Sequence, residues 1–168
     1  YLFNRKAAIY FEYGDIEKAK DNARKAISIE REIESSEYIS NSVNILGACF
    51  RSKGLLDSAN FYINEAYQMA LKDSSQIDNL IVNGFNKANY LNIVKQRDSA
   101  IFYAKHMVKL CKRHNQSTQL FHLYDLISNI YEDNQDYKSA LKYQKIKSAI
   151  RTKRVNEQSK RNFDRLVQ

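Results

Sequence analysis

The sequence predicts an all-α fold, a solenoid of four antiparallel helical hairpins, on three observations. Alanines at 19, 59, 100 and 140 recur at gaps of 40, 41 and 40 residues. Each has an aromatic residue or leucine nine positions upstream (Tyr10, Phe50, Leu91, Tyr131), and three have a bulky side chain three positions upstream (Ile16, Leu56, Tyr137). A fixed period of this size marks stacked units that bury their apolar faces on one another. Second, the 168 residues hold no proline and only four glycines, which leaves little for the turns of an all-β chain. Third, apolar side chains step by three or four within each repeat, as in Val43, Leu46, Gly47, Phe50 and then Leu56, Ala59, Ile63, Ala66, Tyr67.

The first helices of the hairpins are expected near 2–13, 38–52, 77–94 and 119–134. The second helices are expected near 16–33, 56–72, 98–114 and from 137 to 160 or beyond. Gly14 and Gly54 stand in the first two turns, where a helix ends and positive φ costs glycine little. Lys95 and Gln135 take the same place in the other two. The links Glu34-Ser35-Ser36, Asp73-Ser74-Ser75 and Asn115-Gln116-Ser117 are short and polar, with Ser and Asp available as N-caps. The repeating alanines fit the crossing of two close helices, opposite Ala7, Gly47, Ala88 and Ser128. Residues 1–150 thus form four hairpins (about 1–34, 37–73, 76–115 and 118–150), and 151–168 a basic helical extension or linker.

At these residues a family resemblance becomes specific. The run Leu46-Gly47-x-x-Phe50-x-x-x-Gly54-x-Leu56-x-x-Ala59-x-x-x-Ile63-x-x-Ala66 resembles the tetratricopeptide repeat (TPR) pattern, as does Tyr10-x-x-x-Gly14-Asp15-Ile16-x-x-Ala19. The resemblance implies a right-handed TPR-like superhelical solenoid with a concave binding face. The period of about forty exceeds the usual thirty-four, and the proline that closes the second helix is missing. Both departures imply longer helices. The long form and the tail, Ala140-Leu141-Lys142-Tyr143 onward, also resemble the TPR sensor regions of membrane-anchored bacterial transcriptional regulators and histidine kinases. That likeness implies a periplasmic placement and a membrane contact made through a segment downstream of residue 168; a cytoplasmic placement is the alternative.

The charge is segregated. Residues 1–140 hold 18 Lys+Arg against 17 Asp+Glu, whereas 141–168 hold nine basic residues against Glu157 and Asp164. Any electrostatic attraction to nucleic acid or anionic lipid therefore belongs to the tail. The tail lacks interleaved aromatics for base stacking, having only Phe163, so nucleic-acid contact is not expected of it. Ile146, Ala149 and Ile150 are expected to face inward, seating the tail as a cap on the last hairpin. Cys49 and Cys111 lie in different repeats and read as buried thiols.

Nothing assembles a nucleophile with a base or a glycine-rich phosphate loop, so no catalytic residue, cofactor or metal is expected. His106, Cys111, His114 and His122 cluster in sequence without a recognised ligand spacing. The candidate site is the groove lined by the first helices. Matching the repeats places Asn44, Asn86, Asn89 and Asn129 in a ladder of amides, bordered by Arg51, Asp125 and Glu132. An amide offers donors and an acceptor, so it pairs with the backbone of an extended chain without reading its side chains. The expected function is non-catalytic binding of a protein or peptide. Attachment to nucleic acid or membrane through the tail, and self-association (a homodimer through exposed tyrosines), stand as alternatives.

Overall fold

The computed structural model describes residues 2–33, 39–73 and 76–167. Among these the regular structure is entirely helical: α1 (Leu2–Glu12), α2 (Ile16–Glu32), α3 (Ile39–Ser52), α4 (Leu56–Lys72), α5 (Ile77–Ile93), α6 (Arg97–Arg113), α7 (Ser117–Asp133) and α8 (Tyr137–Leu166). The expected boundaries hold to within two residues where they were fixed, and α8 runs on to Leu166. The expected caps at 34–36 and 74–75 lie outside the described residues.

The short turns share one hydrogen-bond pattern, which explains the positions that recur in sequence. The amides of Asp15, Leu55, Gln96 and Asp136 donate to the carbonyls of Tyr10, Phe50, Leu91 and Tyr131 at 2.8–3.0 Å. The amides of Gly14, Gly54, Lys95 and Gln135 donate three residues back. This pair of bonds closes a helix through one left-handed residue. Gly14 (φ 80°) and Gly54 (φ 73°) supply it, and so do the non-glycine Lys95 (φ 64°) and Gln135 (φ 60°). The next helix then starts at once. Asp15 and Asp136 cap it, their carboxylates accepting from the amides of Lys18 (3.2 Å) and Ser139 (3.1 Å). Side-chain caps were expected between hairpins; α5 and α7 instead begin after Gln76 and Gln116 with no side-chain cap bond. In place of a cap, Ser117 forms the first helical residue of α7.

The chain divides into two compact units, 1–96 and 97–168. In the first, α1 packs on α2 and α3 on α4, while α3 also meets α1, α2 and α5. One core cluster joins Ala7, Ala23, Ile27, Val43, Leu46 and Ala66; another joins Ala59, Ile63 and Tyr90, with Phe50 and Leu91 against it. The small residues act as expected: Ala7, Ala19 and Ala59 are fully buried. A methyl group on Gly47 would stand 2.7 Å from the Ile63 Cγ1. Phe50 and Tyr62 stack with ring centres 5.2 Å apart.

In the second unit α7 packs on α6 and α8. Met107, Leu123, Ile127 and Ile130 are fully buried. Ser128 reaches across the last hairpin, its hydroxyl donating to the Ala140 carbonyl at 2.9 Å. Tyr143 stacks between Tyr124 and Tyr131, and Lys105 donates to the Tyr131 hydroxyl at 3.2 Å. Ile146 and Ile150 are half-buried, but Ala149 is exposed, contrary to the expected inward face. From Arg151 to Val167 every residue of the tail is exposed.

Candidate binding site

In the first unit α1, α3 and α5 line a cleft of about 320 Å³. Three of the expected groove residues, Asn44, Arg51 and Asn86, line it together with Asn4, Asn41, Phe11, Glu12, Ile45 and Val82. Periodicity places them there: these residues sit on the faces of first helices that adjoin one another in the stack. Asn89 lies on α5, half-buried and outside the cleft lining.

Asn44 is more deeply placed than a surface ladder implies, being only 4% exposed. Its Oδ1 has no hydrogen-bond partner among the described residues, and neither has that of Asn41. An unpaired buried acceptor costs about 1–3 kcal/mol, so such oxygens are expected to have water or a ligand as partner. The Asn44 amide turns about a soft terminal torsion, so either its N–H or its oxygen can be presented to the cleft, whereas the Asn41 amide is held by its bond to Asn79 Oδ1. Arg51 adds a charge. It is half-buried and makes no ion pair among the described residues, and loss of solvent lowers its pKa from the ordinary value.

Behind the cleft lies a polar network that sequence reasoning missed. Asn4 Nδ2 donates to Ser42 Oγ at 2.8 Å, and that hydroxyl donates to Glu30 Oε2 at 3.4 Å. Asn41 Nδ2 donates to Asn79 Oδ1 at 2.7 Å. Glu30 is 3% exposed, and burial raises its pKa above the ordinary carboxylate range. The signal was present: the partners Asn4–Ser42 and Asn41–Asn79 are both 38 residues apart, about one repeat.

The three remaining expected site residues lie on α7 in the second unit. Asp125 is engaged within the chain, its Oδ1 2.5 Å from the Lys147 ammonium of α8. Asn129 and Glu132 are exposed. His106, His114 and His122 point outward while Cys111 is fully buried, so these four do not converge. Among the described residues no group of three or more His, Cys, Asp or Glu side chains could hold a metal ion, and no helix is long and apolar enough to cross a membrane. Burial pushes the Cys49 thiol up to about 11, which keeps it protonated and unreactive at neutral pH.

No family model matches the sequence, and no curated protein matches it. Solved structures do match. Aspartyl phosphate phosphatase F from Bacillus subtilis superposes with a TM-score of 0.79 at 22% identity, over 90% of this chain and 39% of that one. The apo form of RapI gives 0.75 at 15% identity, over 96% of this chain and 58% of that one. A kinesin light chain from Podosopora anserina with nearly identical TPR-like repeats gives 0.69 at 15% identity, over 92% and 75%. The fold is the TPR-like helical repeat. The TPR-like chain thus spans well under two thirds of the phosphatase and of RapI. Its helices match the TPR-like pattern despite the long period, because the left-handed turn recurs at Gly14, Gly54, Lys95 and Gln135.

Proposed function

We propose that this TPR-like chain is a non-catalytic protein- or peptide-recognition module, with the α1/α3/α5 cleft of the first unit as its binding site. One observation carries the reading. Two buried asparagine oxygens without partners among the described residues, on Asn41 and Asn44, adjoin in a single cleft a partly desolvated Arg51 that makes no ion pair among those residues. A peptide backbone supplies what they lack, since each of its N–H groups donates to an amide oxygen and each carbonyl accepts from an amide nitrogen. Asn86 adds a second amide from the neighbouring helix, and Phe11, Ile45 and Val82 offer apolar surface to side chains of the ligand. Asn89 extends the amide row along α5. On α7, Asn129 and Glu132 form a separate surface, where Asp125 becomes available to a basic ligand that displaces Lys147. The wider role we infer is the sensor or interaction region of a larger bacterial signalling or transcription-regulatory protein. Likeness to RapI and to the Bacillus subtilis phosphatase, each longer than this chain, supports that reading.

Panning the intact chain against a displayed library of random peptides tests the assignment. Selected peptides should bind about tenfold more weakly to each of Asn44→Ala, Arg51→Ala and Asn86→Ala, the scale of one lost hydrogen bond to a desolvated partner. Peptides whose affinity none of the three changes moves would place the binding elsewhere.

A further inference from the structure

A second cleft, of about 560 Å³, lies in the second unit where α8 runs past the start of α7. Its walls are Arg151, Arg154 and Arg161 with Val155, Glu157 and Gln158 on α8, and Ser117, Thr118 and Phe121 on α7. Among the described residues the arginines have no internal anion to satisfy them. Arg151 and Arg154 form no ion pair among the described residues, and Arg161 donates only to the neutral Gln158 Oε1, at 3.1 Å. Glu157, the one acid of the cleft wall, is turned toward Lys153 at 3.9 Å. The first turn of α7 holds no acidic residue, and Lys147 lies over the Phe121 ring, 5.7 Å from its centre.

We propose that this cleft binds a phosphate monoester carried on a side chain of a partner protein. The chemistry selects the group. Three planar guanidinium forks and two hydroxyls lining one cleft offer more donors than one carboxylate can accept, whereas a phosphate monoester presents three strong acceptor oxygens and close to two negative charges. Arginine is suited to such bidentate contacts. Phe121 and Val155 line the same space with apolar surface for the rest of the partner's side chain. Bounded by residues 117–121 of α7 and 151–161 of α8, the cleft is short, which favours a single protruding group over an extended lipid surface or a continuous nucleic-acid backbone. The site shares no residue with the α1/α3/α5 cleft, so it stands or falls independently.

The test uses the whole chain and three short peptides, otherwise uncharged and alike except for one position: phosphoserine, serine or glutamate. Fluorescence anisotropy at 150 mM salt, with backbone amide shifts, is read alongside a single-stranded oligonucleotide and vesicles containing phosphatidic acid. The phosphopeptide should bind at least about tenfold more tightly than either twin, with shifts centred on residues 117–121 and 151–161. Arg151→Gln with Arg154→Gln should abolish that preference. Lys138→Gln with Lys142→Gln, which removes the same charge elsewhere on α8, should change affinity less than about twofold. All four positions are exposed, so both double variants are expected to keep the helical circular dichroism of the parent. Equal binding of the phosphoserine and glutamate peptides would overturn the proposal. So would equal weakening by both double variants, or preference for the oligonucleotide or vesicles with shifts spread along 142–165.

Discussion

Gly47 stands where a methyl group has no room, because α3 and α4 cross with the Ile63 side chain 2.7 Å from the position of its missing Cβ. Gly47→Ala should therefore destabilise the protein by about 1–3 kcal/mol, visible as a lower midpoint in urea unfolding. Adding Ile63→Val, which trims the clashing side chain, should recover part of that loss. Glu30 makes the opposite kind of prediction. Its folded pKa is raised by burial, so the folded state holds the proton more tightly than the unfolded chain. Its contribution to stability is present in acid and is lost as pH rises through the folded value. Glu30→Gln keeps an acceptor for Ser42 without the charge, and should raise the thermal midpoint at pH 7 but not at pH 4. An equal shift at both values would remove the buried charge from the explanation.

At the scale of elements, the turns separate glycine positions from occupied ones. Lys95 and Gln135 hold left-handed backbone with a Cβ in place, at φ 64° and 60°. Glycine there should stabilise by about 0.5–1 kcal/mol, the left-handed penalty less the greater freedom of an unfolded glycine. Gly14→Ala and Gly54→Ala should cost about 1 kcal/mol, and through backbone strain alone, since nothing lies within 4 Å of the added methyl. Denaturant midpoints of the four variants check the pattern. The first turn of α2 adds a pH dependence. Hydrogen bonds from Lys20 and Lys53 hold the Glu17 carboxyl down to about 2, so its contribution is complete above about 4.5 and fades as pH falls toward 2. Glu17→Gln should lower stability at neutral pH, by an amount that shrinks as pH falls toward 2.

For the molecule as a whole, the fold was legible because one local requirement repeats. A left-handed turn, a close helix crossing and an aromatic beside it leave the same marks every forty residues: Tyr10, Gly14 and Ala19, then Phe50, Gly54 and Ala59. The turns at Lys95 and Gln135 were legible by register alone, since neither residue announces its geometry. The candidate cleft was legible in part. Repeat matching brought Asn44, Arg51 and Asn86 to one cleft, yet gave no sign that Asn44 is buried, because its depth depends on how α1, α3 and α5 adjoin. Nor did spacing reveal that Lys147, 22 residues on, occupies Asp125. Charges on separate helices pair through tertiary packing, which no local pattern records.

The central claim is that the amide-and-arginine cleft of the first unit is where a peptide binds. Backbone amide shifts of the whole chain, titrated with a peptide selected by panning, test it most directly. The largest shifts are expected on residues 4–12, 41–51 and 82–89, and they should shrink in Arg51→Ala. Shifts confined to the outer faces of α2 and α4, or to residues beyond 96, would contradict it.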